Sequence, residues 1–404
     1  MNVDTMRKID YYAGVPLCLL VSATLKVGRL FRSWRRVTPK KVLFVELSEM
    51  GSAILVDPAM RKMQCEGAEL YFVIFSKNAP SLRLLGTVPE ENVFRINESG
   101  LVPLALTTLK FLWWTRKQGI DTVIDLELFS RYSALLTGLS GAANRIGYHA
   151  FHNEGLYRGD MLTHKVAYNP HMHIAKNFIA LVNTALSDKE ELPYSKSLIA
   201  DREIVLQKVS FSDEELAPMQ QRVREDYPGY DPQQHRLVLI NPNASELLVQ
   251  RRWMPERYSS LMQRILADYP DVLVLITGAP TEREEAEGLK QAVASDRCIN
   301  FAGRVKFSEL TRLYSIATLM VSNDSGPGHF SAVTEMPTFV LFGPETPALY
   351  GSLGNSTPIY AGLACSPCVS AANHRKTPCV DNVCLQVITV EQVFDTVRPV
   401  LDNK

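Results

Sequence analysis

The chain has 404 residues, 46% of them hydrophobic, and its 43 Lys+Arg are balanced by 43 Asp+Glu. That length predicts two domains, each with its own core, and the balanced charge excludes a general attraction to nucleic acid. Three of the seven cysteines, Cys18, Cys65 and Cys298, are scattered through apolar or mixed surroundings, which points to reduced thiols and a cytoplasmic protein. No uninterrupted apolar run reaches roughly 18 residues, so no membrane-crossing helix is expected. There is no Walker loop, no His-Glu-x-x-His and no internal repeat.

In chain order, residues 1–40 read as a basic amphipathic segment. Tyr11 to Val45 contains no acidic residue, while Lys26, Arg29, Arg32, Arg35, Arg36, Lys40 and Lys41 supply positive charge. On a helical wheel Leu20, Ala23, Val27, Leu30, Phe31 and Trp34 share one face, and Lys26, Arg29, Arg32 and Arg36 lie opposite. This is the pattern of a helix lying on an anionic membrane surface. A secretory signal over Val15–Ala23 is opposed by the basic residues that follow, and an ordinary docking helix with a solvated basic face is the alternative.

Residues 41–190 read as a Rossmann-like α/β domain. A first buried strand, 41–47, turns through Ser48-Glu49-Met50-Gly51-Ser52 into a helix running to about Gln64, with Pro58 where its missing N–H costs little. Further strands are expected at 68–76, 92–96, 122–128 and 144–148, alternating with helical stretches, the pattern of a parallel doubly wound sheet. Asp125, Glu127 and Arg131 cluster at the carboxyl end of the fourth strand. Five histidines, 149, 152, 164, 171 and 173, lie close in sequence and are read as a loop facing an anionic glycolipid. A polar stretch, 191–235, with one solvated helix expected over Asp213–Asp226, is read as the linker.

A second α/β domain follows over 236–364, with strands expected at 236–243, 271–279, 298–303, 319–324 and 337–343. Asn241-Pro-Asn243-Ala-Ser245 ends its first strand, and Arg251-Arg252-Trp253 follows. Ser245 would donate to a phosphate oxygen, and Arg251 or Arg252 would neutralise it. Glu282, opening a helix after the second strand, either accepts from ribose hydroxyls or carries a favourable N-terminal charge. The run Leu319–Val321 stops at Asp324-Ser325-Gly326-Pro327-Gly328-His329, where backbone N–H groups at a helix start, with Ser325 and His329, form an anion site. Residues 365–404 hold a loop with Cys365, Cys368, Cys379 and Cys384, read as either a structural zinc site or free thiols, and a terminal helix with Val390, Val393, Val397 and Val400 at helical spacing.

The Asp324–His329 element, then Pro337 and Leu341-Phe-Gly-Pro344, resembles the signature of the glycosyltransferase family 9 heptosyltransferases of lipopolysaccharide synthesis. Order and spacing match from Lys41 to about Val397. The resemblance implies the GT-B architecture of two facing Rossmann-like domains. It also implies an inverting, metal-independent transfer of a sugar, expected to be heptose from ADP-heptose, to a lipopolysaccharide core or similar glycolipid at the cytoplasmic face of the inner membrane. It assigns the donor diphosphate to Asp324, Ser325, Gly326 and His329, with Gly51, Ser52, Asn243, Ser245, Arg251, Arg252 and Glu282 completing the donor site. The family's first loop carries an aspartate after its glycine, thought to be the base, and here Ser52 follows Gly51. Glu49, then Glu46, then Glu127 are the carboxylates that could replace it. The vacancy leaves two alternatives, a non-catalytic nucleotide-sugar- or glycan-binding homologue and a family 9 enzyme with another donor sugar.

Overall fold

The structure, a computed structural model, describes residues 3–31, 36–48, 50–151, 156–244, 246–370 and 375–403. The chain divides into two compact units between Val205 and Leu206.

The first unit is a parallel sheet of six strands: β1 (Lys41–Val45), β2 (Glu69–Phe75), β3 (Val93–Ile96), β4 (Thr122–Asp125), β5 (Asn144–Tyr148) and β6 (His164–Val166), in the order β3-β2-β1-β4-β5-β6. Strands β1, β4 and β5 are buried along almost their whole length, as required when helices cover both faces of a parallel sheet. Its helices are α1 (Val3–Tyr12), α2 (Gly14–Phe31), α3 (Ser52–Leu55), α4 (Asp57–Cys65), α5 (Leu101–Gln118), α6 (Arg131–Leu139) and α7 (Ile174–Leu186). Gly119, at φ 69°, ends α5 in the left-handed conformation that glycine adopts at least cost.

The N-terminal residues are part of this unit. Helical hydrogen bonds continue from α1 into α2 through Ala13, and the break falls where Pro16 has no N–H to give Tyr12. Cys18 and Val21 of α2 pack with Ala134 and Met161. Gly14 comes so close to α6 that a Cβ there would stand 2.8 Å from the Arg131 Cβ. Asp10 accepts from the backbone N–H groups of Arg131 and Tyr132 and from the Arg131 guanidinium. Of the expected apolar face, Leu20, Ala23, Val27, Leu30 and Phe31 turn away from the protein, and Trp34 lies outside the described residues. No uninterrupted apolar run is present, but by length and average composition alone the 24 residues Thr5–Gly28, whose most apolar window has a mean hydropathy of 1.3, match a membrane-crossing helix. An average tolerates Lys and Arg that interrupt a run.

The second unit repeats the topology: β7 (Arg236–Asn241), β8 (Val272–Ile276), β9 (Cys298–Asn300), β10 (Leu319–Asn323), β11 (Thr338–Phe342) and β12 (Ser356–Tyr360) run parallel in the order β12-β11-β10-β7-β8-β9. Its helices are α8 (Asp213–Asp226), α9 (Pro255–Asp268), α10 (Arg283–Val293), α11 (Leu310–Ile316), α12 (Gly326–Phe330), α13 (Pro347–Tyr350), α14 (Val383–Gln386) and α15 (Val390–Asp402). Two parallel six-stranded α/β units meet the expectation of a GT-B fold.

The stretch 191–235, expected as a linker, is divided between the units. Tyr194 bonds to the Lys165 carbonyl beside β6. Beyond Leu206 the chain belongs to the second unit, where Lys208 donates to the carbonyls of Ala332 and Thr334. There α8, opened by a Ser212–Glu215 capping box, buries Met219 and Val223, and its Arg222 pairs with Glu309 at 2.8 Å. The helix expected over Asp213–Asp226 is therefore present, packed along one narrow buried stripe rather than solvated all round.

Candidate functional site

In an open parallel sheet, ligands bind beyond the carboxyl ends of the strands where the strand order reverses. In the first unit this point lies between β1 and β4. Glu46 is buried there and Glu127 Oε1 accepts from the Leu47 N–H and the Ser48 hydroxyl, both at 3.0 Å. Glu127 therefore fastens the loop after β1. Beneath it Asp125, fully buried, is held by Arg158 and by the Glu127 N–H at 3.1 Å. Burial pushes its carboxyl above the usual range and Arg158 opposes the shift. Gly51 has ordinary right-handed dihedrals, φ −65° and ψ −35°, and Ser52 is buried as the first residue of α3. Glu49 lies outside the described residues.

Two of the five histidines expected to face a glycolipid have structural roles instead. His164 is buried in β6 against Tyr194, and burial, then Arg36 and Arg145, push its imidazole down to about 4. His173 caps α7 by accepting from the Ala175 N–H, and His152 lies outside the described residues.

In the second unit the reversal lies between β7 and β10. Asn323, completely buried at the end of β10, fixes the loop after β7: its Oδ1 accepts from the Trp253 N–H and the Tyr258 hydroxyl, and its Nδ2 donates to the Pro242 carbonyl. This brings Arg251 to the corner. Its Nε lies 3.4 Å from Asp324 Oδ2 and its Nη2 donates to Glu345 Oε1 at 2.8 Å. Arg375 Nε approaches the same Glu345 oxygen at 3.5 Å, and its guanidinium stacks on Tyr350. Arg252 turns elsewhere, donating to the Ala244 carbonyl, with Glu285 3.9 Å away. Of the two arginines the sequence offered, Arg251 is the one beside Asp324.

Beside this network lie Asn243, Gly278 and Glu282. A Cβ added to Gly278 would sit 2.8 Å from Glu282 Oε2 and 3.0 Å from Asn243 Nδ2, so these two side chains close over the glycine. Asn243 is buried with its Nδ2 unpartnered among the described residues, an amide donor available to a ligand. Glu282 Oε2 accepts from the Ala279 N–H at 2.6 Å, so the helix-opening role exists and occupies one oxygen.

The Asp324–His329 turn differs from expectation in its electrostatics. Helix α12 has only five residues, too few to sum into a strong dipole. The Gly328 N–H goes to the Ser325 carbonyl and Pro327 has none, leaving the amides of Ser325 and Gly326 as the donors of the turn. Gly326 and Gly328 serve packing, because a Cβ would meet Phe330 at 2.8 Å and Val340 at 3.1 Å respectively. His329 is half-buried on α12. Ser245 lies outside the described residues.

The four cysteines of the loop form no disulfide among the described residues, where no group of three His, Cys, Asp or Glu side chains is placed to hold an ion. Burial raises the Cys384 thiol, and Cys368, Cys379 and Cys365 nevertheless lie near enough to help raise it. Cys384 is buried at α14 beneath Gly343, Cys379 donates to Asp381 at 3.3 Å, and Cys365 is exposed. The loop braces the donor side. Gln250 donates to the Cys379 carbonyl, and Asn382 donates to the carbonyls of Gln250 and Arg252. Asn323, Glu345 and Arg375 are residues sequence reading did not select.

Chemically, the edge of the second sheet offers an amide and a carboxylate for a ribose or base, and a guanidinium with turn amides for an anion. Arg251 and Arg375 are offset by Asp324 and Glu345, so an incoming phosphate must share Arg251 with Glu345.

Comparison with known proteins bears on the fold and the family. The profile described as Glycosyltransferase family 9 (heptosyltransferase) matches residues 112–377. Lipopolysaccharide heptosyltransferase 1 of Escherichia coli K12 is 22% identical over 343 residues, covering 78% of this chain and 92% of that protein. Lipooligosaccharide heptosyltransferase 2 of Haemophilus influenzae is 28% identical over 100 residues, and the match spans 24% of this chain and only 28% of that relative. Among solved structures, E. coli ADP-heptose lps heptosyltransferase II superimposes with a TM-score of 0.69 at 18% identity, covering 89% of this chain and 98% of that one. The profile spans well over half of the chain, which belongs to glycosyltransferase family 9.

Proposed function

We propose that the protein is an inverting, metal-independent glycosyltransferase that moves a heptose from ADP-heptose to a lipopolysaccharide core or similar glycolipid at the cytoplasmic face of the inner membrane. The observation that carries the reading is the grouping of Asn243, Glu282, Arg251 and Asp324 at the carboxyl edge of one sheet, in a family where the E. coli structure above is named for ADP-heptose. Glu282 and Asn243 take the nucleoside. Arg251, the Ser325 and Gly326 amides and His329 take the diphosphate, whose charge grows as the sugar leaves. The acceptor hydroxyl loses its proton to Glu49, Glu46 or Glu127.

Incubation with ADP-heptose, UDP-sugars and a heptose-deficient core glycolipid tests this, with ADP release and heptose incorporation expected. A second reading rests on Ser52, which stands where the family resemblance puts an aspartate: a homologue that binds nucleotide sugars without transfer. ADP binding without transfer from any donor would favour it.

A further inference from the structure

Helix α5 departs from the rule for surface helices. Such a helix normally turns one apolar stripe inward and a polar face outward. The inward side of α5 is apolar as expected, with Phe111 fully buried and Leu104, Leu112 and Trp114 packed on the core of the first unit. Its outward side is apolar too: Val102, Leu106, Leu109 and Trp113 are 70%, 54%, 65% and 64% exposed and lie on one face. Helix α2 has the same character, with Leu20, Val27, Leu30 and Phe31 exposed. Both helices pack against α6, α2 extensively and α5 through Tyr132, whose hydroxyl bonds to Thr108.

We infer that the outward faces of α2 and α5 form one lipid-contacting surface that seats the first unit on an anionic bilayer. Apolar area of this extent on both helices calls for an apolar occupant, and the charges beside it select which. Helix α5 carries Lys110, Arg116 and Lys117 and no acid, and α2 carries no acid. Lys117 lies 5.0 Å over the Trp113 ring, the cation-and-indole pairing suited to a headgroup boundary. A second copy of the chain would set these like charges against one another, whereas anionic headgroups complement them. Crossing the bilayer is opposed by the seam of α2 on α6 and by the Asp10–Arg131 pair, both of which insertion would break. The inference does not depend on which donor the second unit binds.

The test is co-sedimentation of the full chain with phosphatidylcholine vesicles, with and without about one-third phosphatidylglycerol. The variants are Leu106→Gln/Trp113→Gln on α5 and Leu20→Gln/Phe31→Gln on α2. All four residues are already exposed, so unchanged melting temperatures are expected. Wild type should bind anionic vesicles in a salt-sensitive manner, and each pair of substitutions should lower partitioning by about tenfold or more. Wild-type partitioning by the α5 variant would overturn the inference. So would a wild-type dimer that the α5 variant converts to monomer in light scattering, which would make the occupant a second copy. Resistance of the bound wild type to carbonate extraction would overturn it in favour of a spanning helix.

Discussion

The guanidinium of Arg251 donates to Glu345 at 2.8 Å, and the Glu345 side chain is only 1% exposed. Arg251 also faces Asp324, and Arg375 also faces Glu345, so two cations and two buried carboxylates meet at the corner assigned to the donor diphosphate.

Removing one member of a buried ionic set leaves its partners uncompensated. Arg251→Ala should therefore destabilise the second unit by about 3–5 kcal/mol and weaken ADP binding together. Arg251→Met combined with Glu345→Leu should restore most of the stability, since apolar replacement of both partners is often neutral, and should leave ADP binding weak. Urea unfolding and calorimetry separate the two effects. Recovery of ADP affinity in the double variant would remove Arg251 from the donor site.

His329→Ala should weaken binding of both ADP and UDP by about 1–3 kcal/mol, the range for a lost charge-assisted hydrogen bond. The proposed donor site sets this side chain against the diphosphate, so the loss should not depend on the base. Equal affinity of variant and wild type for both nucleotides would show that His329 serves packing only.

The fold was legible where strands are buried on both faces, because Val272–Ile276 and Leu319–Asn323 then become nearly continuous apolar runs. Edge strands β6 and β12 were missed. The first is three residues long with a lysine, and the second carries an exposed Pro358, which an edge tolerates and a central strand does not. In the site, Asp324 and Arg251 were legible from a turn and a basic pair after apolar strands. Their partners Glu345 and Arg375 were not, because which carboxylate meets which guanidinium across β10 and β11 is a tertiary fact. The cysteine spacing left a metal site or free thiols open and carried no sign that the same loop holds Gln250 and Arg252.

Thiol reactivity follows from that arrangement. Cys65 and Cys365 are exposed and should react quickly with a disulfide reagent in the native protein. Burial pushes Cys18 up to about 11 and Cys298 up to about 12, and raises Cys384, so these should react slowly. A chelator should leave the rates and the melting temperature unchanged. Protection of Cys365 that a chelator abolishes would show that the cysteines hold a metal.

His164 gives the first unit a stability that depends on pH. Its folded-state pKa of about 4 lies below the unfolded value of about 6.5, so in between the unfolded chain binds the extra proton. Stability should fall as pH drops from about 6.5 toward 4, by roughly 1–3 kcal/mol from this residue. Asp10 and Asp125, both raised by burial, act in the opposite sense at the acid end of the range. The difference between wild type and His164→Phe, measured by urea unfolding at pH 7 and 4.5, isolates the histidine. A difference independent of pH would refute its neutral burial.

The catalytic base can be assigned by separating loop support from proton transfer. Glu127 holds the loop after β1 through one oxygen that accepts from Leu47 and Ser48, and glutamine retains an acceptor there while losing the basicity. If Glu127 is only a support, Glu127→Gln should stay within a few fold of wild-type turnover, while Glu127→Ala should lower both turnover and melting temperature. A serine of ordinary pKa cannot take the acceptor proton at neutral pH, so Ser52→Ala should be nearly silent. Glu49→Gln should then lower turnover by about 10²–10⁴ with ADP affinity unchanged, because only proton transfer is lost. The opposite pair of results, an active Glu49→Gln and a folded but inactive Glu127→Gln, would move the base to Glu127. Activity in both would leave Glu46, buried at the end of β1, as the carboxylate to replace next.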